Sequence, residues 1–500
     1  MIELSGQSLT LEAVESVARD GVEVSLGKSA RAAITESRAF VERLLKSGEM
    51  IYGVTTGFGR LANVVIAPEQ QVELQRNLVR SHSAGVGDAL SSVEVRAILV
   101  LRANALCRGH SGCRLEVVER LVELLNHHIH PVVPEMGSVG ASGDLAPLAH
   151  IALTVMGEGS VLAEGGPVAS AEVLAASGLD PIELREKEGL ALINGTQAHT
   201  GLGVLALRAA ERACEALEIA GAMSLDALKG TPEPFRAEVQ AARPHAGQEE
   251  SARRLRQLLE GSEIRESHRV GDPRVQDAYC LRCMPQVHGA GRSALSYVRG
   301  VVEVEVNSST DNPLMFPEAG AVVSAGNFHG QIVAQALDFL TIAITDLAAI
   351  SERRIERLLN PDLSGLPAFL TTSPGLRSGL MIAQVTAVDL LAEMRVLAHP
   401  VSTDSVPTSA SQEDHVSMGM AAARKARRAV RHFELVVALE FLTAAQAIEF
   451  HRPLKSGPSI EAALALIRER VERLQDDRSV TGDIESIADL VSSGAFGGVA

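Results

Sequence analysis

QIVAQALDFLTIAITDLAAISERRIERLL, from Gln331 to Leu359, is the stretch that decides the fold. It is rich in Ala, Leu, Glu and Arg, and its apolar residues recur three and four positions apart, the period of one helix face. Gly201 to Leu228, Met381 to Leu397 and Val416 to Phe450 read the same way. Several of these exceed ordinary globular helix lengths, which predicts a bundle of long packed helices. Thr10 caps a first helix, with Glu12 in its first turn and Val14, Val17 and Ala18 on one face. Pro68 opens another through Val72, Leu74, Leu78 and Val79. Strand-like signals are short, as in Val301-Val302-Glu303-Val304-Glu305-Val306. The fold class is mainly α: a long-helix bundle with a smaller N-terminal region of short helices and loops. One soft boundary falls near residue 200, where Gly-rich turns give way to long helices, dividing the chain into 1–200 and 201–500.

The 500 residues are 46% hydrophobic, enough for a substantial core and too many for a disordered chain. Lys and Arg total 46 against 62 Asp and Glu, a net charge of -16 that argues against nucleic-acid and anionic-membrane partners. Aromatics are 3%, with no Trp and three Tyr, so stacking on bases is disfavoured as well. Five Cys is sparse and odd, which points to a reducing cytoplasm rather than a disulfide scaffold. Met1 to Ser5 shows no basic n-region leading into an apolar core, and no run of about 18 consecutive apolar residues occurs, so a soluble protein is expected.

The most unusual segment is Met136-Gly137-Ser138-Val139-Gly140-Ala141-Ser142-Gly143-Asp144-Leu145. Its plain reading is a Gly/Ser turn into a helix with Asp144 as N-cap. It lacks the Gly-Lys-Ser/Thr of a phosphate loop and the Gly-x-Ser-x-Gly of a hydrolase elbow. A different chemistry fits Ala141-Ser142-Gly143. Attack of the Gly143 nitrogen on the Ala141 carbonyl closes a five-membered ring. Loss of water there, and of the Ser142 hydroxyl, leaves an exocyclic methylene on an imidazolone. Small residues suit the tight pinch that this attack requires.

Here the sequence resembles the aromatic amino acid ammonia-lyase family, which carries this methylidene-imidazolone group. Five further blocks, in family order, carry the resemblance: Met50 to Gly59 with Tyr52, Asn194-Gly195-Thr196-Gln197, Val275 to Cys283, Thr310 to Pro313, and Gly326 to Gly330. With the segment around Glu413, they cover most of the chain. Ser81-His82 stands where phenylalanine-specific members have Phe-Leu and tyrosine-specific ones His-Leu. Pro407 to Met418 looks like the histidine branch, because phenylalanine lyases have an amide at the position of Glu413. A His and a carboxylate suit an imidazole, whose two ring nitrogens both need partners. A phenyl ring would leave those groups unsatisfied at about 1–3 kcal/mol each.

The resemblance implies deamination of L-histidine to urocanate and ammonia, the first step of histidine degradation, by a homotetramer whose sites are shared between subunits. It implies no external cofactor and no metal. Ala141, Ser142 and Gly143 would form the electrophile. Tyr52 would take the β-proton if its pKa, ordinarily about 10, were lowered, and Glu413 competes for that role. Arg282 suits a bidentate grip on the substrate carboxylate, assisted by Asn194. His82 and Glu413 would hold the imidazole, while Tyr279, Gln276 and Phe328 line the site. Elimination proceeds by amine capture or by ring attack; the residues leave this open, with amine capture favoured.

Other features have plainer readings. Cys280-x-x-Cys283 lacks a second pair with metal-ligand spacing. Asn126-His127-His128-Ile129-His130, downstream of Cys107, His110 and Cys113, reads as a solvated helix end. Arg424, Lys425, Arg427 and Arg428 read as a solvated or subunit-facing surface, and no Lys stands in a Schiff-base motif. His199 stands where a small or apolar residue is expected, and Tyr297 has no assigned role. Three alternatives stay open: a phenylalanine or tyrosine lyase or aminomutase, a helical scaffold without catalysis, and a fumarase-type lyase, whose Gly-Ser-Ser-x-Met-Pro loop is absent.

Overall fold

Long helices carry the architecture. The computed structural model describes residues 1–48 and 50–499. Gln331–Leu359 and Met381–Leu397 are helices over the ranges that the apolar period predicts. A third helix spans Gln197–Ala227, so it begins before Gly201. The fourth, Gly419–Ile448, starts later than Val416 because Met418 adopts φ +59°, which a continuing right-handed helix excludes. Thr10 Oγ1 accepts the Ala13 N–H at 3.1 Å and caps the helix Leu11–Arg19. Pro68 opens one tight turn that leads into the helix Gln71–His82.

The alternating run Val301–Val306 is not a strand; all but Val306 lies in the helix Met284–Glu305. Val298, Val302 and Val306 are buried while Val304 is 68% exposed. The buried valines are four apart, so burial at helical spacing overrides the β-preference of a short run. Among the described residues the strands form two-stranded pairs. One of them, Val86–Ala89 against Pro134–Met136, delivers the chain to the Gly-rich loop.

Two compact units result. The first comprises Met1–Arg208, Arg299–Asp338 and Pro400–Arg424; the second comprises Ala209–Val298, Phe339–His399 and the chain from Lys425 onward. The first break lies close to residue 200, yet neither unit is a continuous range. The reason is geometric: Gln197–Ala227, Met284–Glu305, Gln331–Leu359 and Gly419–Ile448 each have residues in both units. Within the first unit, the helix Ser92–Leu106 is buried on nearly every side and opens with a Ser91–Glu94 capping box. Within the second, the buried Arg354 and Glu440 pair at 2.6 Å, and Ser224 and Ser351 donate to the same carboxylate. A buried ion pair is tolerated when its remaining acceptors are satisfied in this way. Gln331–Leu359 is long and apolar enough to cross a membrane by length and composition, but 61% of its most apolar window is buried within the protein.

Candidate active site

The Gly-rich loop between Met136 and Leu145 is shaped by close backbone approaches. Gly140 and Gly143 have φ of +71° and +75°. A Cβ on Gly143 would lie 2.2 Å from Gly195 O, and one on Gly140 2.2 Å from Ser417 Oγ. No side chain fits either place. Ala141 and Gly143 pair across Ser142, and Gly143 also pairs with Gly195. The Asp144 N–H donates to Gly195 O at 2.7 Å, and the Met418 N–H donates to Val139 O at 2.9 Å. Asn194 Nδ2 donates to Ser142 O at 3.2 Å, while its Oδ1 is buried with no hydrogen-bond partner among the described residues. Behind Gly195, the buried Arg102 donates to Ala191 O at 3.0 Å and to Gln197 Oε1 at 2.7 Å. It reaches Thr310 O at 3.3 Å. Two separate segments, Asn194-Gly195 and Ser417-Met418, thus grip one turn, and Arg102 backs the first of them.

Asp144 occupies the N-cap position of the helix Leu145–Val155, but its side chain makes no capping bond. It pairs with the wholly buried His199 instead, at 2.8 Å. This corrects both the capping role expected of Asp144 and the expectation of a small or apolar residue at His199.

A cavity of about 500 Å³ opens above the loop. Its walls are largely apolar, including Leu61, Ile66, Leu74, Leu78, Leu145, Leu190 and Ile193. Into it converge Tyr52, His82, Ser142, Asn194 and Glu413, the arrangement of few polar groups in an apolar cleft that suits a small ligand. Ser142 Oγ donates to Glu413 Oε1 at 3.2 Å, and Thr408 Oγ1 donates to Glu413 Oε2 at 3.0 Å. Glu413 is set by a backbone pairing with Thr408 across a tight turn in which Ser409, Ala410 and Ser411 all have positive φ. His82 ends its helix with Nδ1 2.9 Å from Leu78 O. A carbonyl only accepts, so Nδ1 carries a proton.

The Tyr52 hydroxyl accepts the Gly59 N–H at 3.0 Å, and Phe58 packs edge-on at 6.3 Å. Burial pushes the phenol above its ordinary pKa, and the Glu413 charge adds to the rise against the Gly59 hydrogen bond. The lowering that a base role asks of Tyr52 is thus not supplied by these neighbours.

The other expected residues lie elsewhere. Phe328 is half-buried in the turn before Gln331 and does not line the cavity. Gln276, Tyr279 and Arg282 belong to the second unit. Gln276 is exposed, and Tyr279 is 71% exposed with the Arg282 guanidinium 4.5 Å from its ring centroid. Arg354 donates to Cys280 O at 3.4 Å from beneath this segment. Tyr297 packs edge-on against Phe339 at 5.9 Å. The histidine run is not simply solvated: Arg96 lies 3.3 Å from His128 and 3.5 Å from His130. Burial, then Arg96 and His128, hold the His130 pKa down at about 4.

Sequence reasoning missed Arg102, Thr408 and the Asp144–His199 pair. Arg102 had a signal: a lone Arg inside the apolar run Ala97 to Leu106 must be buried with partners. Thr408 reaches Glu413 only through a tight turn of positive-φ residues, and Asp144 and His199 meet from distant segments, so neither had one.

Comparison with known proteins identifies the family. Residues 9–469 match the family described as aromatic amino acid lyase. A histidine ammonia-lyase of Caldanaerobacter subterraneus subsp. tengcongensis is 51% identical over 99% of this chain and 97% of its own. The crystal structure of histidine ammonia-lyase from Trypanosoma cruzi superposes with a TM-score of 0.93 at 42% identity, covering 100% of this chain and 94% of that one. A tyrosine aminomutase from Streptomyces globisporus superposes with a TM-score of 0.94 at 43% identity, covering 100% and 98%. With a family match over most of its length and a whole-chain relative at half identity, the chain belongs to the aromatic amino acid lyase family.

Proposed function

We propose that the protein deaminates L-histidine non-oxidatively to urocanate and ammonia, using an electrophile made from its own Ala141-Ser142-Gly143. The observation that carries the reading is the convergence of Ser142, Glu413 and His82 on one apolar cavity, with Ser142 and Glu413 3.2 Å apart. Similarity to enzymes named histidine ammonia-lyase supports the same substrate. The loop fits the methylidene-imidazolone group: Gly143 is barred from carrying a side chain, Ala141 and Gly143 already pair, and the buried Asn194 Oδ1 lacks a partner beside them. Once formed, that group supplies the electron sink that ammonia loss from an amino acid needs.

The chain's own residues do the rest. Glu413 accepts a ring N–H of the substrate and His82 addresses the imidazole from the helix end, so a phenyl ring leaves both unpaired. Tyr52 or Glu413 takes the β-proton; the raised phenol places Tyr52 on the alkaline side. Arg282 grips the substrate carboxylate with help from Asn194, and Gln276, Tyr279 and Phe328 complete the lining.

This division of labour assigns the loop, His82 and Asn194 to the N-terminal region and the other substrate-gripping residues to the long-helix region. The active assembly is a homotetramer in the cytoplasm, with sites completed between subunits. Exposed apolar residues along the helix Met381–Leu397, among them Ile382, Val385, Val388 and Val396, supply surface for such an assembly. The mass of the peptide containing Ala141-Ser142-Gly143 tests the electrophile: it is expected to be lighter by two waters, and an unmodified mass would favour a scaffold without catalysis.

A further inference from the structure

His199 is wholly buried against the Gly-rich loop. Its Nδ1 lies 3.0 Å from Asp144 Oδ1, and its backbone N–H donates to Asp144 Oδ2 at 2.8 Å. A carboxylate only accepts, so Nδ1 carries the proton. Asp144 Oδ1 also accepts from Ser138 Oγ at 3.0 Å. Ser138 Oγ in turn accepts the Gly140 N–H at 3.1 Å and lies 3.4 Å from Gly143 O. A continuous path of hydrogen bonds therefore joins the imidazole to Gly140, and the same Ser138 oxygen stands against the Gly143 carbonyl on the other side of Ala141 and Ser142. The ring's place is cut by two further glycines. A Cβ on Gly330 would come within 2.4 Å of Nε2, and one on Gly419 within 2.7 Å of Nδ1. Burial favours the neutral imidazole, the Asp144 carboxylate favours the charged one, and the net direction is upward.

We propose that His199 is a positioning residue for formation of the electrophile: by donating from Nδ1 to Asp144 it orders Ser138, which holds Gly140 and Gly143 in the pinch. This rests on the electrophile proposed above. His199 exchanges no atoms in the step. Ring closure forms the bond from Gly143 N to the Ala141 carbonyl carbon, and the first water takes the Ala141 oxygen with the amide hydrogens of Gly143 and Ser142. The second takes the Ser142 hydroxyl with its Cα hydrogen. Without the Nδ1 donor, Asp144 is a buried carboxylate short of a partner, and the Ser138 clamp loses its anchor.

The test follows the mass of the peptide containing residues 141–143 over time after cell-free synthesis of the full chain, with folding checked by circular dichroism. The variable is a donor at the place of Nδ1, so the variants are His199→Asn, His199→Gln and His199→Leu. The asparagine amide places a donor where Nδ1 stands; the glutamine amide reaches to Nε2, and leucine has no donor. Wild type and His199→Asn are expected to lose two waters at rates within about threefold of each other, while His199→Gln and His199→Leu are slowed by about tenfold or more. Wild-type rates in both slowed variants, or His199→Asn as slow as His199→Gln, would overturn the role. If His199→Leu does not fold, the asparagine–glutamine contrast decides alone. An unmodified peptide in the wild type itself would overturn the electrophile, an outcome read before any variant is compared.

Discussion

The loop from Gly137 to Asp144 and the segment from Val275 to Arg282 both carry residues the proposed chemistry needs, yet they are built in opposite ways. The loop is gripped from behind: Gly195, Ser417, Asn194 and the buried His199 fix its geometry, and only the Ser142 side faces the cavity. The Val275 segment is open. Val275 and Gln276 are exposed, Tyr279 is 71% exposed, and Arg282 leans on the Tyr279 ring. A reaction that begins with the backbone attacking itself needs a rigid pinch within one chain. A grip on a substrate that comes and goes does not, and its open face suits completion by another subunit.

The contrast predicts where substitutions act. Ser142→Ala should abolish turnover with the fold intact by circular dichroism, because no other residue supplies the methylene; near-normal turnover would remove the electrophile from the account. Arg282→Met should lower kcat/KM for histidine by roughly 10–100-fold, the loss of about 1.5–3 kcal/mol from a charge-assisted pair. The peptide around Ser142 should still lose two waters in that variant, since the closed region does not depend on the open one. A coupled loss would break the comparison.

Glu413→Gln should lower histidine turnover by a similar or smaller factor and also identify the base. If Tyr52 takes the proton, the rising limb of the residual kcat/KM profile moves to lower pH, because the negative charge that raises the phenol is gone. If the rising limb disappears, Glu413 is itself the base. The smallest effect lies far from the cavity. His130 titrates ordinarily near about 6.5 in an unfolded chain but at about 4 here, so it favours the fold above the first value and that advantage is lost as pH falls through the second. In His130→Gln, thermal unfolding followed from pH 7 downward should show a shallower acid-side loss.

Much of this was legible in the chain. The periods of Gln331–Leu359 and Met381–Leu397 gave their helices directly, since buried faces repeat at fixed spacing. Val301 to Val306 misled because alternation over six residues is too short to outweigh a helix already running from Met284. Chemistry-bearing residues stood out as blocks around Tyr52, Ser142, Asn194 and Glu413, and the cavity brings these four together. Two things depended on the folded chain. His199 and Asp144 are 55 positions apart, and only the fold makes them partners. The rise in the Tyr52 pKa depends on burial and on Glu413, neither of which sequence spacing contains.

The most direct test of the whole account is the ultraviolet absorbance of urocanate formed from L-histidine, run beside L-phenylalanine and L-tyrosine with Ser142→Ala as the control. Turnover of histidine well above that of the other two, and lost in the control, is the predicted result. No activity on histidine, or a preference for tyrosine as the similarity to an aminomutase would suggest, contradicts it.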